Sequence, residues 1–293
     1  MSNISAKIIA DSISFDGNRL TTYVLRYPRF IHAEFMTHRV LSKNSASSRA
    51  IPFKTMVASV MEDPAIPLAF QKHHSGMQGT EYLVGEEGQE ARNKWLQSRD
   101  AAVQTATALY EHGVTKQLCN RILEPFLMHT IICSGTEYRN FFALRAHPDA
   151  EIHINDLAEK MLKEYNESTP KLLNINEWHI PFGDRFDDDR IASMLRDQHP
   201  SSYVTEEYIR TTKLKIATAR CGRISYNSFD GKDDYTADLK LHDRLVSAGH
   251  WSPFEHCAQV SADIQIGNFK GWKQYRKTFE NENRNDPRVG QGK

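Results

Sequence analysis

The sequence predicts an α+β, helix-rich fold with antiparallel strands and long helices, and three observations carry that expectation. Residues 7–15 and 20–27 are rich in Ile, Thr, Val and Tyr and flank Asp16-Gly17-Asn18, the pattern of two strands joined by a turn. Between 90 and 112 the apolar residues Trp95, Leu96, Ala102, Val103, Ala106, Leu109 and Tyr110 recur at helical spacing. Residues 257–266 alternate as a strand should, so strand patterns stand at both ends of a largely helical chain.

The remaining elements follow in order. Pro28 closes the second strand, and a helix is expected over about 30–43. Residues 63–88, with Pro, Gly and His, read as an irregular loop, and Gly113 ends the long helix that follows it. A short helix then carries Gln117, Asn120 and Arg121. Pro125 starts another that reaches Arg145, with a break near Gly135. Ile154 to Tyr165 is amphipathic and helical. The stretch 167–203 holds Pro170, Pro181, Gly183 and Pro200, and reads as a connector between an N-terminal part, 1–166, and a C-terminal part, 204–293. Its run Asp187-Asp188-Asp189 is expected in a solvated loop. Helices are expected over about 206–223 and 236–248, separated by a polar loop around Gly231, and again over 268–279, before a loose tail beyond Asn283.

Composition narrows the function classes. The 293 residues hold 37 basic and 37 acidic side chains, a balance that argues against gripping nucleic acid by charge. The four cysteines, Cys119, Cys133, Cys221 and Cys257, are widely spaced, without the Cys-x-x-Cys of a zinc site or a disulfide framework. His73-His74 lacks a third ligand at suitable spacing, so no metal is expected. No apolar stretch approaches the length of a membrane span, and no secretory segment opens the chain; a cytoplasmic protein is expected. Neither a G-x-G-x-x-G nor a G-x-x-x-x-G-K-[ST] loop is present.

The run from His38 to Arg49, His-Arg-Val-Leu-Ser-Lys-Asn-Ser-Ala-Ser-Ser-Arg, concentrates an imidazole, two guanidiniums, four hydroxyls and an amide directly after Phe35 and Met36. Guanidinium presents a planar fork to phosphate or to an acidic pyrimidine edge, and short hydroxyl side chains let backbone N–H groups approach the same oxygens. The run predicts a site for a phosphorylated ligand. A second stretch echoes the first. Glu34 to Arg39 is followed by Asn44-Ser45, and Trp272 to Arg276 by Asn281-Glu282, five and six residues past the respective Arg. The echo predicts two copies of one strand–helix unit. Trp272 and Tyr275 are expected in the core rather than as stacking partners for a ligand.

These blocks resemble the flavin-dependent thymidylate synthase family. His38-Arg39, seven residues, Ser47 is similar to the family's Arg-His-Arg, seven residues, Ser, with Ser42, Asn44 and Arg49 also in place. Arg121-Ile122-Leu123-Glu124-Pro125 and Asn140-Phe141-Phe142-Ala143-Leu144-Arg145 resemble its Arg-x-x-Leu-Pro and Asn-Phe-x-x-Leu-Arg. Gly249 to His256 resembles its Gly-His-x-Ser-Pro-Phe-Glu-His, and Ala219 to Tyr226 its Ala-Ala-Arg-Val-Ser-Tyr. In the family the Ser-Pro-Phe-Glu-His block comes first; here it is C-terminal, as in a rearranged relative. Thr37 replaces the first signature Arg, Glu34 a usual Gln, and Ser45 a usual Glu, whose carboxylate Glu282 of the second unit could supply.

The resemblance implies that dUMP is methylated to dTMP, with methylenetetrahydrofolate as carbon donor and FAD, reduced by NADPH, as hydride source. It implies Arg145 at the uracil edge, as the catalytic group favouring N3 ionisation. Glu34, Ser45, Ser47, Ser48, Arg49 and Arg121 would lie with Arg145 around the nucleotide, with Ser47, Arg49 and Arg121 on its phosphate. His38, Arg39, Asn140, Ser252, Glu255 and Glu282 would face FAD, Ser252 and Glu255 either touching flavin or fixing the loop that holds it. The family places FAD between subunits, so a homo-oligomer is implied. The residues alone leave other readings open. Arg145 could pair with Asp149 or Glu151, the same pocket could serve a flavin- and folate-dependent hydroxymethylase of a pyrimidine nucleotide, and the loss of Arg at 37 is compatible with a non-catalytic nucleotide-binding relative.

Overall fold

A computed structural model describes residues 3–75, 79–198, 200, 203–224, 233–280 and 282. The expected polar loop at Gly231, the Ser225-Tyr226 end of one matched block, Asn281 and the tail beyond Asn283 lie outside the described residues. The fold is α+β, helix-rich and built on antiparallel strands, as expected.

The first strands, β1 (Ser5–Ser14) and β2 (Arg19–Pro28), form the hairpin that the turn residues foretell. Gly17 sits at φ +86°, which a side-chain-bearing residue rarely adopts, and Ser14 N–H donates to the Asn18 carbonyl across the turn. A short 3-10 turn leads into α1 (His32–Met36), which stops seven residues before the expected end. Ser42 and Lys43, expected at the end of that helix, instead form β3 (Ser42–Ser45) with the two residues that follow. Ser and Asn compete with helical hydrogen bonds, and pairing with a neighbouring strand satisfies their backbone.

That neighbour is a strand, β4 (Met128–Gly135), where the sequence predicts part of a helix from Pro125 to Arg145. Ile131, Ile132 and Cys133 are fully buried between β3 and β2, and a short run buried on both faces carries no period to tell strand from helix. The sheet order is β3-β4-β2-β1-β5, where β5 (Lys171–Leu173) pairs in parallel with Ser12–Ser14 of β1.

Between β3 and β4 lie α2 (Phe53–Glu62), α3 (Gly85–Glu111) and α4 (Lys116–Leu123). The 27 residues of α3 bury little besides Ala106, so the helix is held mainly along one seam. Thr115 caps α4 by accepting from Gln117 N–H. After β4 come α5 (Arg139–Arg145) and α6 (Ile152–Glu167), whose inner face packs Ile154, Leu157 and Met161 against Tyr23, Leu25 and Tyr27 of β2.

The stretch 167–203 is built into the fold. It supplies β5, β6 (Trp178–His179) and α7 (Asp188–Gln198), and Ile191 and Leu195 enter the core. The triple Asp run starts α7: Asp187 Oδ1 accepts from Arg190 N–H at 3.0 Å, and Asp188 and Asp189 occupy the first turn, where the helix dipole favours negative charge. The C-terminal part adds α8 (Glu206–Arg223), α9 (Tyr235–Ala248), β7 (Ala258–Ile266) and β8 (Phe269–Gln274), with order β6-β7-β8. Gly249 at φ +70° ends α9 in the left-handed conformation.

The expected helix over 268–279 is strand β8 followed by a 3-10 turn, because Gly267-Asn268 closes a two-residue hairpin. The two echoing units are therefore not structural copies: Glu34 to Met36 is helix and Trp272 to Gln274 is strand. Trp272 is fully buried, as expected, and its Nε1–H donates to the Asn18 carbonyl at 3.1 Å.

The matched C-terminal block docks on β3. Asn44 Nδ2 donates to the Cys221 carbonyl at 2.6 Å, and Ser252 Oγ donates to Asn44 Oδ1 at 3.0 Å. Ser42 Oγ accepts from Gln274 Nε2 at 3.0 Å. Asn44→Ala is expected to destabilise the protein by about 1–3 kcal/mol, because it strands the buried Cys221 carbonyl and unties Ser252 across this seam. A shift of the urea midpoint reads the loss, and an unshifted midpoint would show the seam to be unimportant.

Candidate functional site

The thirteen candidate residues fall into three groups. The first surrounds Arg145. Its Nε donates to His38 Nε2 at 3.0 Å, joining residues 107 apart in sequence. Because Nε2 accepts, the neutral imidazole of His38 carries its proton on Nδ1. Burial, helped by the Arg145 and Lys43 charges, pushes the His38 pKa down to about 4, so the ring is neutral at pH 7. The edge of the ring meets Phe141 at a centroid distance of 4.9 Å, and Lys43 Nζ donates to the His38 carbonyl. Glu34, half-buried on α1, has its pKa raised by burial and by the nearby Glu151 charge, against the opposing pull of Arg145. Arg39 and Asn140 are exposed next to this group in sequence, Arg39 following His38 and Asn140 opening α5.

Glu151 and His153 wall the same group. Leu68 N–H donates to His153 Nε2 at 2.9 Å, which puts the His153 proton on Nδ1, facing the Glu151 carboxylate. Glu151 also caps α6 by accepting from the N–H groups of His153 and Ile154. It is thus engaged elsewhere, and among the described residues Arg145 pairs with neither Glu151 nor Asp149.

The second group gathers on α4. Arg49 is exposed, and its Nε donates to Gln117 Oε1 at 3.1 Å; Arg121, also exposed, lies four residues beyond Gln117, on the same helix face. Asn120 Nδ2 clasps the turn that carries Ser47 and Ser48, donating to the Ser48 and Ile51 carbonyls at 2.7 and 3.0 Å. Lys116 Nζ donates to the Ala50 carbonyl at 3.0 Å. Ser45 lies on β3, opposite Ile131. Arg39, Arg49, Arg121 and Arg145 have no carboxylate partner among the described residues, so four guanidiniums remain open to an anionic ligand.

The third group lies on the C-terminal part. Arg276 bridges Glu255 at 2.8 Å and Glu282 at 2.9 Å, and Lys277 reaches Glu282 at 2.9 Å. Ser252 is spent on Asn44 as described. Sequence reasoning offered Glu151 as a partner of Arg145 but did not single out His153, Lys43 or Leu68 as members of this group. For Glu151 and His153 a signal existed: an acidic residue two positions before a His, at the start of an amphipathic helix, is a capping arrangement.

The scaffold is α+β, with Arg145 and His38 in one group and Arg49 and Arg121 in another, beside the turn that carries Ser47 and Ser48. The chain belongs to the thymidylate synthase complementing protein family, the flavin-dependent thymidylate synthases; the match covers residues 15–171, more than half of its length. Among solved structures it is similar to the UMP/dUMP methylase PolB from Streptomyces cacaoi bound with 5-Br UMP, at 15% identity and TM-score 0.46, over 57% of this chain and 90% of that one. The same enzyme bound with 5-Br dUMP gives 16% identity and TM-score 0.46, over 57% and 91%. No curated protein matches the chain. Among the described residues no helix is long and apolar enough to cross a membrane.

Proposed function

We propose that the protein methylates dUMP to dTMP with methylenetetrahydrofolate as carbon donor. The Arg145–His38 hydrogen bond carries this reading, because it unites the two sequence blocks that mark the family, inside the matched region. Arg145 stabilises the uracil edge as negative charge develops at N3, with its orientation fixed by a neutral imidazole that cannot compete for the anion. Arg49 and Arg121, with the Ser47–Ser48 turn, hold the phosphate.

The family implies FAD, and the donor set tests whether it fits. His38 offers a neutral ring, Arg39 an exposed guanidinium with no carboxylate partner among the described residues and Asn140 an exposed amide, a set suited to a flavin's carbonyls and pyrophosphate. Ser252, Glu255 and Glu282 are engaged with Asn44, Arg276 and Lys277, which favours the second role considered for Ser252 and Glu255, fixing the loop beside the cofactor. FAD would then be held by His38, Arg39 and Asn140, and supplies the hydride that NADPH delivers to it. A homo-oligomer completes the site, since Arg39 and Asn140 face outward.

The absorbance spectrum of the purified protein tests the cofactor assignment: flavin bands that shift on adding dUMP are expected, and a protein that takes up no flavin would contradict it. Arg49→Ala is expected to weaken dUMP binding about tenfold, or about 1.4 kcal/mol, with kcat changed much less. Calorimetric titration of dUMP reads this, and unchanged affinity would remove Arg49 from the phosphate site.

A further inference from the structure

Two side-chain donors hold the Arg145–His38 pair from behind, and each grips a main-chain carbonyl of one partner. Arg145 ends α5, where a carbonyl has no helical N–H to accept from. Asn155 Nδ2, on the first turn of α6, donates to that carbonyl at 3.0 Å and to the His147 carbonyl at 3.1 Å. One amide therefore fixes both the last residue of α5 and the segment that leaves it.

His38 lies in the turn between α1 and β3. Its carbonyl accepts from Leu41 N–H at 3.3 Å and from Lys43 Nζ, so a backbone donor and a side chain of β3 close the turn together. The Lys43 ammonium stands 5.3 Å from the centre of the Phe35 ring, and Phe35 meets Phe141 edge-on at 5.6 Å. Phe141 is also the ring that His38 meets at 4.9 Å. It precedes Arg145 by four residues on α5, on the same helix face. Lys43, Phe35, Phe141 and His38 thus pack as one circuit beside the guanidinium.

Lys43 is half-buried, has no carboxylate partner among the described residues, and has its pKa pushed down by burial. Burying an ammonium without a counter-ion costs stability, so ion pairing does not explain the residue. Both Lys43 and Asn155 lie outside the residues that carry the family resemblance.

We propose that Lys43 and Asn155 are positioning residues, which pin the main chains of His38 and Arg145 so that imidazole and guanidinium meet at 3.0 Å before any ligand arrives. Their effect on turnover rests on the proposed activity; the two clasps do not.

Nitrogen-15 NMR of the full chain without ligand reads the clasps. The Arg145 Nε–H signal, identified by its loss in Arg145→Ala, is expected to exchange slowly with water in the wild type. In Lys43→Met and in Asn155→Ala it should exchange at least about tenfold faster. Lys43→Arg, which keeps a charged donor, should restore slow exchange. Steady-state kinetics should show kcat lowered about tenfold or more in Lys43→Met and Asn155→Ala, with KM for dUMP changed much less, and kcat recovered in Lys43→Arg. A merely structural role would lower the thermal midpoint and leave exchange and kcat of the folded protein as they were. Asn155 is half-buried on a first helical turn, so Asn155→Ala carries the test alone where Lys43→Met does not fold. Slow exchange retained in either folded variant, or unchanged kcat despite faster exchange, overturns the proposal. Wild-type protein that forms no dTMP while its Arg145 signal responds as described overturns the proposed activity instead.

Discussion

Replacing Arg145 with alanine is expected to leave the fold intact and to lower kcat by about a hundredfold or more, the loss typical when one preorganised donor to a developing anion is removed. Its Nε is held by His38 at 3.0 Å, while no carboxylate among the described residues engages the rest of the guanidinium. Its side chain is only half-buried at the end of α5, so truncation leaves little cavity. Steady-state kinetics beside a thermal melt separates the two effects. A fall in kcat with an unshifted melting midpoint is expected. Unchanged turnover would remove Arg145 from the chemistry.

Acid is expected to destabilise the protein steeply below about pH 6.5. A buried chain of hydrogen bonds runs from Ser12 Oγ to His179 Nδ1 (2.9 Å), from His179 Nε2 to Thr22 Oγ1 (2.8 Å), on to Ser134 Oγ (2.6 Å) and to His256 Nδ1 (2.9 Å). It links β1, β2 and β4 to β6 and to the matched C-terminal block, and burial pushes the pKa values of His179 and His256 down to about 3. His129, also buried, is pushed down to about 2 by burial and then by the Arg29 and His32 charges. All three folded-state values lie below the unfolded value near 6.5. The unfolded chain therefore takes up protons first, and stability is full above about pH 6.5 and lost as pH falls toward 3. At pH 5 the loss is about 2 kcal/mol for each ring, against a total stability of roughly 5–15 kcal/mol. Urea denaturation at pH 8 and pH 5 measures it. A midpoint that does not move would mean that these rings are not held neutral.

Much of this was legible in the residues. The β1–β2 hairpin, α3, α8 and α9 follow from turn chemistry and apolar period, which act locally. The elements misread were settled by partners far along the chain. Residues 42–45 become a strand because β4 and the Ser252 block lie on either side of them, and Ile131 to Cys133 a strand because both faces are covered. Gly267-Asn268 is the local turn signal for the β7–β8 hairpin, while Trp272 and Tyr275 stand at helical spacing. Of the site, the motif residues themselves were readable. Their grouping was not, since no pattern within the sequence says that Arg49 meets Gln117 or that Arg145 meets His38. The unusual order of the blocks has a structural counterpart in the seam: the C-terminal Ser252 block reaches Asn44, 208 residues away in sequence, across β3.

The measurement closest to the central claim is the mass of the nucleotide formed when the purified protein is incubated with dUMP, methylenetetrahydrofolate, FAD and NADPH. Formation of dTMP, lost in Arg145→Ala, is the expected result. A hydroxymethylated nucleotide, or dUMP recovered unchanged by flavin-loaded protein, would contradict it.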